Sequence, residues 1–254
     1  MAKAKKEAAI EIPDVVEKFR GIVDADILGP MIPLLRSGAY KFANDGRIEA
    51  DFRMTAETPW LHVRQDCRRN CGIWHQIWFE KYNIIPSYCQ NCWKVVVRPR
   101  TLKELFQLYE LQIKMNRPSK CGIEVRLTVD ALYGGYFYND TQELGLECLK
   151  DVKEAVHATI HPDIKVFLKR ACTEFEHKFG DSTKWAVSEE QKALESRLEG
   201  LIIDPSKSHD QGAEIKRHVI AGWVKFANAA GDQTAQEFLT HPLYPPYVTY
   251  GDDK

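Results

Sequence analysis

Cys67 and Cys71 stand with three residues between them, Cys89 and Cys92 with two, and seventeen residues separate the pairs. Two closely spaced thiolate pairs on a tether of that length can fold back onto one tetrahedral ion. Zinc is the expected occupant, because thiolates bind it at short distance and it needs no redox partner. The chain from Cys67 to Cys92 is therefore expected to close on itself. With four protein ligands the site would be structural, leaving no position for water or substrate.

The spacing leaves alternatives open. A helix over 66–82 would carry Cys67, Cys71 and His75 at successive i, i+4 positions, so His75 could replace Cys67 as a ligand. The same thiolates could hold an iron–sulfur cluster. The segment Cys89-Gln-Asn-Cys92 followed by Trp93-Lys94 resembles the knuckle of zinc ribbons and treble clefs. That resemblance covers about ten residues and implies a metal-binding turn, which unrelated families share.

Charge is unevenly distributed. The formal net charge is −1. Residues 64–126 nevertheless carry twelve Lys/Arg against five acids, while 127–254 carry fourteen against twenty-one. A basic segment of this kind suits an anionic partner, although the two halves could equally neutralise each other. Aromatics interleave with the cations: Arg68, Arg69, Trp74, Trp78, Lys81, Tyr82, Tyr88, Trp93, Lys94, Arg98 and Arg100. Guanidinium and ammonium groups meet phosphates, and flat rings stack on unpaired bases. Trp74 and Trp78, four apart, read as core. Arg68, Arg69, Trp93, Lys94, Arg98 and Arg100 are the expected nucleic-acid contacts, whether to DNA or RNA.

Hydrophobic residues make up 44% of the chain and charged residues 28%, which places it with ordinary globular proteins. No run of about eighteen apolar residues is present, so no membrane-spanning helix is expected. The start of the sequence lacks the apolar core of a secretion signal, and seven cysteines is an odd number. Together these point to metal ligation in a reducing compartment, with the cytoplasm as the expected address.

Four segments are expected. Residues 1–63 read as a helical lead-in, with helical spacing over 14–23, a break at Gly29-Pro30 and Pro33, and a short strand over 47–54. Residues 64–118 form the zinc-binding basic module: the helix over 66–82, the knuckle, a β-branched strand at Val95–Val97, and a helix capped by Thr101. Residues 119–185 form a small antiparallel sheet with one helix: strands over 123–131 and 133–138, a helix over 142–160, and a strand over 164–168. Residues 186–254 are helical, with Ser188 as a cap, a second helix over 214–230, and an extended aromatic tail. The expected class is α+β.

The remaining clusters are weaker. Asp130, Asp140, Glu174 and Glu176 would suit a divalent metal ion only if the sheet gathered them. Cys172, after Lys169-Arg170, would sit near positive charge, which favours a thiolate. Tyr133-Gly-Gly-Tyr136 lacks a nucleotide-loop spacing, and its glycines suggest a bulge. The expected function is a zinc-stabilised nucleic-acid-binding protein or a subunit of a nucleic-acid-processing complex. The rival readings are a divalent-metal-dependent enzyme acting on nucleic acid and a structural adaptor within a protein assembly.

Overall fold

The structure, a computed structural model, describes residues 23–36, 38, 40–50, 58–64, 71–126, 128–203 and 211–239. In chain order its elements begin with α1 (Ala25–Arg36), β1 (Tyr40–Phe42), β2 (Ile48–Ala50) and β3 (Trp60–Val63). Next come α2 (Cys71–Ile73), continued by a π-helix over Trp74–Lys81, then α3 (Ser87–Gln90), β4 (Trp93–Arg98) and α4 (Leu102–Met115). The central run is β5 (Ser119–Ile123), β6 (Tyr133–Asn139), α5 (Gln142–Thr159), β7 (Lys165–Arg170) and α6 (Thr173–Phe179). The chain closes with α7 (Glu189–Glu199), α8 (Ala213–Ala229) and a 3-10 helix over Gln233–Phe238.

These elements form two compact units. The first draws on residues 1–55, 68–90 and 174–207, the second on 56–67, 91–173 and 208–254. The four consecutive segments expected from the sequence are therefore interleaved. The basic segment 64–118 is divided between the units, as is the C-terminal third.

In the first unit, α1, the β1–β2 hairpin, the π-helix and α7 bury Ile27, Met31, Phe42, Ile48, Ile77, Trp78 and Leu198. The expected break at Pro30 and Pro33 does not occur, since α1 runs through both. Each proline removes one backbone donor. Ile27 and Met31, one turn apart and fully buried, supply the packing that holds the helix across them. The Tyr82 amide donates to the Ile77 carbonyl at 3.2 Å, the wider i to i−5 closure of a π-helix. The helix expected over 14–23 lies outside the described residues apart from Val23, and so do residues 66–70 of the one expected over 66–82.

The second unit is built on a five-stranded antiparallel sheet in the order β3-β5-β6-β4-β7. Strands and helices run β4-α4-β5-β6-α5-β7, the split β-α-β arrangement, with β3 added at one edge. The strand at Val95–Val97, expected in the zinc module, is thus an inner strand of the main sheet, and β5 ends at Ile123. Beyond it the chain turns: Glu124 N–H donates to the Leu132 carbonyl at 2.8 Å, so residues 124–126 and 128–132 form no strand where one was expected.

Helices α4, α5 and α8 pack on one face of this sheet, burying Leu61, Val95, Val97, Cys121, Tyr133 and Phe137 against Leu105, Leu108, Val152, Val156 and Trp223. Thr101 and Thr141 start α4 and α5 by accepting the amides of Glu104 and Leu144, each at 3.2 Å. Asn116, in the left-handed conformation at φ 50°, ends α4 and turns the chain directly into β5. The helix–sheet contact also explains Gly135. A Cβ there would lie 2.3 Å from Leu108 Cδ2, so close packing, rather than a bulge, requires the glycine.

Candidate nucleic-acid interface

Because side chains alternate along a strand, the register fixes what the other face of the sheet carries. One row across the strands reads His62, Lys120, Tyr136, Val96 and Phe167. Its neighbours read Trp60, Gly122, Gly134, Arg98 and Lys165 on one side, and Tyr138, Lys94 and Lys169 on the other. No Asp or Glu stands among them. The helices of the core all lie on the opposite side.

Cations and rings are in contact throughout this face. Lys120 Nζ sits 4.3 Å from the centre of the Trp60 ring and 5.7 Å from that of Tyr136. The Arg98 guanidinium lies 5.9 Å from both Tyr136 and Phe167. Trp60 meets Tyr136 edge-on with centroids 5.6 Å apart. Tyr136 is thereby buried, and its hydroxyl donates to Glu124 at 2.8 Å. Burial would raise the Glu124 carboxyl, but hydrogen bonds from Arg126 and Tyr136 hold it below its ordinary range. Glu124 is thus committed to Arg126, 2.6 Å away.

Two buried basic groups behave differently. Burial first, and then the charge of Lys120, push the His62 imidazole down to about 3, so it is neutral at physiological pH. For Lys94 burial works toward deprotonation. The charges of Cys172, Cys92 and Tyr136 and the hydrogen bond to Cys172 outweigh it and hold the ammonium above its ordinary value.

Of the contacts expected from the sequence, Lys94 and Arg98 lie on this face. Trp93 faces the helices, with its Cβ 3.2 Å from the position a side chain on Gly145 would take. Arg100 is engaged by Glu104, whose Oε2 accepts its amide at 2.7 Å, and lies 3.8 Å from Asp163. Arg68 and Arg69 lie outside the described residues. The alternation in Lys94-x-x-x-Arg98, Tyr136-x-Tyr138 and Lys165-x-Phe167-x-Lys169 is the signal that marks this face. It becomes visible once these segments are paired as neighbouring strands.

Of the expected metal ligands, Cys67 lies outside the described residues, Cys71 and Cys89 belong to the first unit, and Cys92 belongs to the second. Among the described residues, no three His, Cys, Asp or Glu side chains come together as a metal site. His75 stacks on Phe175 with centroids 4.9 Å apart. Glu174 and Glu176 sit on α6 of the first unit, while Asp130 and Asp140 belong to the second. No helix among the described residues is long and apolar enough to cross a membrane.

The fold and this face define the class: an α+β protein whose split β-α-β sheet carries a basic, aromatic surface opposite its helices. Comparison with protein-family models, with curated proteins and with solved structures found no match.

Proposed function

We propose that this chain binds nucleic acid through the basic, aromatic face of its five-stranded sheet. The observation that carries the reading is the accessible part of that face, where Arg98 and the exposed Lys165 stand beside Phe167, itself 38% exposed, with no acid in the strands. Cations so placed neutralise phosphates and release condensed counterions, which makes affinity steeply salt-dependent.

The test is a salt series of binding isotherms with the whole chain. Affinity should fall steeply between about 50 and 200 mM salt, and Arg98→Ala with Lys165→Ala should lower the slope by about one for each phosphate that is no longer neutralised. Absence of binding at the low-salt end, or indifference to salt, withdraws the proposal in favour of an adaptor role. Zinc held by Cys67, Cys71, Cys89 and Cys92 is a separate proposal, supported by their spacing alone. Elemental analysis finding one zinc per chain, lost in Cys89→Ser, supports it; a metal-free chain withdraws it.

A further inference from the structure

We infer that the open edge of β7 takes up an extended, acidic segment of a partner protein as a further strand, seated in the groove between β7 and α5. This goes beyond the nucleic-acid reading, which concerns the face of the sheet and not its edge.

The ladder fixes which backbone groups that edge presents. The Ala171 amide donates to the Cys92 carbonyl at 2.7 Å, so Cys92 and Ala171 form a hydrogen-bonded pair in the β4–β7 register. Such pairs recur at every second residue, which turns the backbone groups of Lys165, Phe167 and Lys169 toward β4. The amides and carbonyls of Val166 and Leu168 therefore point away from the sheet, and they have no partner among the described residues. The opposite edge is closed. On β3 the Gln211 side chain takes the two outward groups: its Oε1 accepts the His62 amide and its Nε2 donates to the Trp60 carbonyl, each at 2.9 Å. An open row of backbone donors and acceptors, as on β7, is the template that strand addition uses.

The groove beside that edge is the second observation. Helix α5 runs along β7. At one end the His157 Nε2 lies 3.0 Å from the Ile164 carbonyl, and at the other a side chain on Gly145 would lie 2.9 Å from Leu168 Cδ1. A cavity of about 370 Å³ opens there, with Lys153, His157, Asp163, Lys165, Val166 and Phe167 in its lining. A strand laid along β7 would send alternate side chains toward α5 and toward the basic face of the sheet.

Charge selects the occupant. Lys153 and Lys165 are exposed and unpaired among the described residues, whereas the acid of the groove, Asp163, lies 3.8 Å from Arg100. A carboxylate on the added strand thus meets Lys153 on the helix side or Lys165 on the other. An apolar side chain would meet Phe167, which is 38% exposed. The strand itself reads Lys165-Val-Phe-Leu-Lys-Arg170, with three cations and no acid. A second copy of β7 would therefore set like charges on facing strands, which destabilises the pairing, while an acidic strand is attracted.

The experiment records amide NMR spectra of the isotope-labelled whole chain with two synthetic peptides of about seven residues, long enough to span β7. One alternates Glu and Val, the other Lys and Val. The Glu peptide should shift the Val166 and Leu168 amides and slow their hydrogen exchange, and the Lys peptide should not bind. Lys153→Glu should weaken the Glu peptide about fivefold, and Lys153→Arg should keep its affinity. Val166→Pro deletes one outward donor without touching the ladder to β4, and should weaken binding by about the same factor. Circular dichroism of each variant confirms that the fold is intact. Lys153 lies on α5, off the face proposed for nucleic acid, so the two readings fail separately.

Failure of the Glu peptide to bind, equal affinity for the two peptides, or shifts that spare Val166 and Leu168 overturns the inference. So does an affinity indifferent to Lys153→Glu and Val166→Pro. Protection of the two amides that grows with chain concentration in the absence of peptide assigns the edge to a second copy. Shifts of the same amides with an oligonucleotide assign it to nucleic acid. Either result overturns the inference as well.

Discussion

The ammonium of Lys94 lies 3.5 Å from the thiol sulfur of Cys172, where the chain leaves β7. Lys94 is 7% exposed, and Cys172 is its hydrogen-bond partner among the described residues. Positive charge held beside a thiol favours its thiolate, and the Lys94 ammonium is so placed for Cys172. Cys172 is half-buried, less enclosed than Cys121 and Cys148. We predict that iodoacetamide alkylates Cys172 ahead of Cys121 and Cys148, which are buried. Lys94→Met should slow that reaction about tenfold near neutral pH, the equivalent of one unit in thiol pKa. Peptide mapping by mass spectrometry gives the site and the rate; equal rates in the two proteins would contradict the pairing.

His62 makes stability depend on pH. Its folded-state pKa, about 3, lies below the ordinary value of 6.5. The unfolded chain therefore binds the proton first as pH falls, and stability drops from about pH 6.5 downward. Between pH 7 and pH 5 this one group should cost about 2 kcal/mol. His62→Gln, which cannot protonate, should flatten that part of the curve. Thermal melts at the two pH values measure it, and an unchanged pH dependence in the variant would show that His62 titrates normally.

Local signals in the sequence were legible and distant pairings were not. Thr101 and Ser188 announce their helices because a cap depends on four consecutive residues, and both hydroxyls do accept the expected amides. Val95–Val97 reads correctly as a strand for the same reason. Its place between β6 and β7 was hidden, because partners some 40 and 70 residues away decide it. That one displacement split the expected basic module and hid the sheet face. Lys94 and Arg98 were visible as cations, but Trp60, Tyr138 and Phe167 join them only through cross-strand register. Pro30 and Pro33 misled in the opposite direction, since burial of Ile27 and Met31 overrides a local rule.

Asp232 fastens the end of α8 to the start of α4. Its carboxylate accepts the Leu102 amide at 2.5 Å and the Tyr133 hydroxyl at 2.7 Å, and its other oxygen accepts the Thr234 amide at 2.9 Å. Burial would raise this carboxyl, but the hydrogen bonds from Tyr133, Thr234 and Leu102 hold it below its ordinary 3.8. The stabilisation is therefore present above about pH 4 and lost as acid protonates the folded form. Asp232→Ala should lower stability by about 1–2 kcal/mol at neutral pH, the range for a lost cap. Denaturant titration measures it, and a loss under about 0.5 kcal/mol would assign the hold to other contacts.

Gly122 is the position where the sheet core and the candidate interface meet. A Cβ added there would lie 2.1 Å from the Pro59 carbonyl oxygen, too close for any real contact. That oxygen cannot easily retreat, because the buried indole of Trp223 donates to it at 2.7 Å. Moving it would break a buried hydrogen bond and shift Trp60, whose Cε3 lies 2.9 Å from the same added atom. Gly122→Ala should therefore destabilise the chain by about 1–3 kcal/mol, the cost of overpacking. It should also change the fluorescence of Trp60, because the added methyl displaces the ring from the glycine backbone. Gly222→Ala is the matched control: it lies within a helix, and its added Cβ meets nothing within 4 Å. That change should leave the fluorescence of Trp60 intact and stability unchanged or slightly higher, as expected for alanine in a helix. Equal behaviour of the two variants would show that the close approach at Pro59 does not position Trp60.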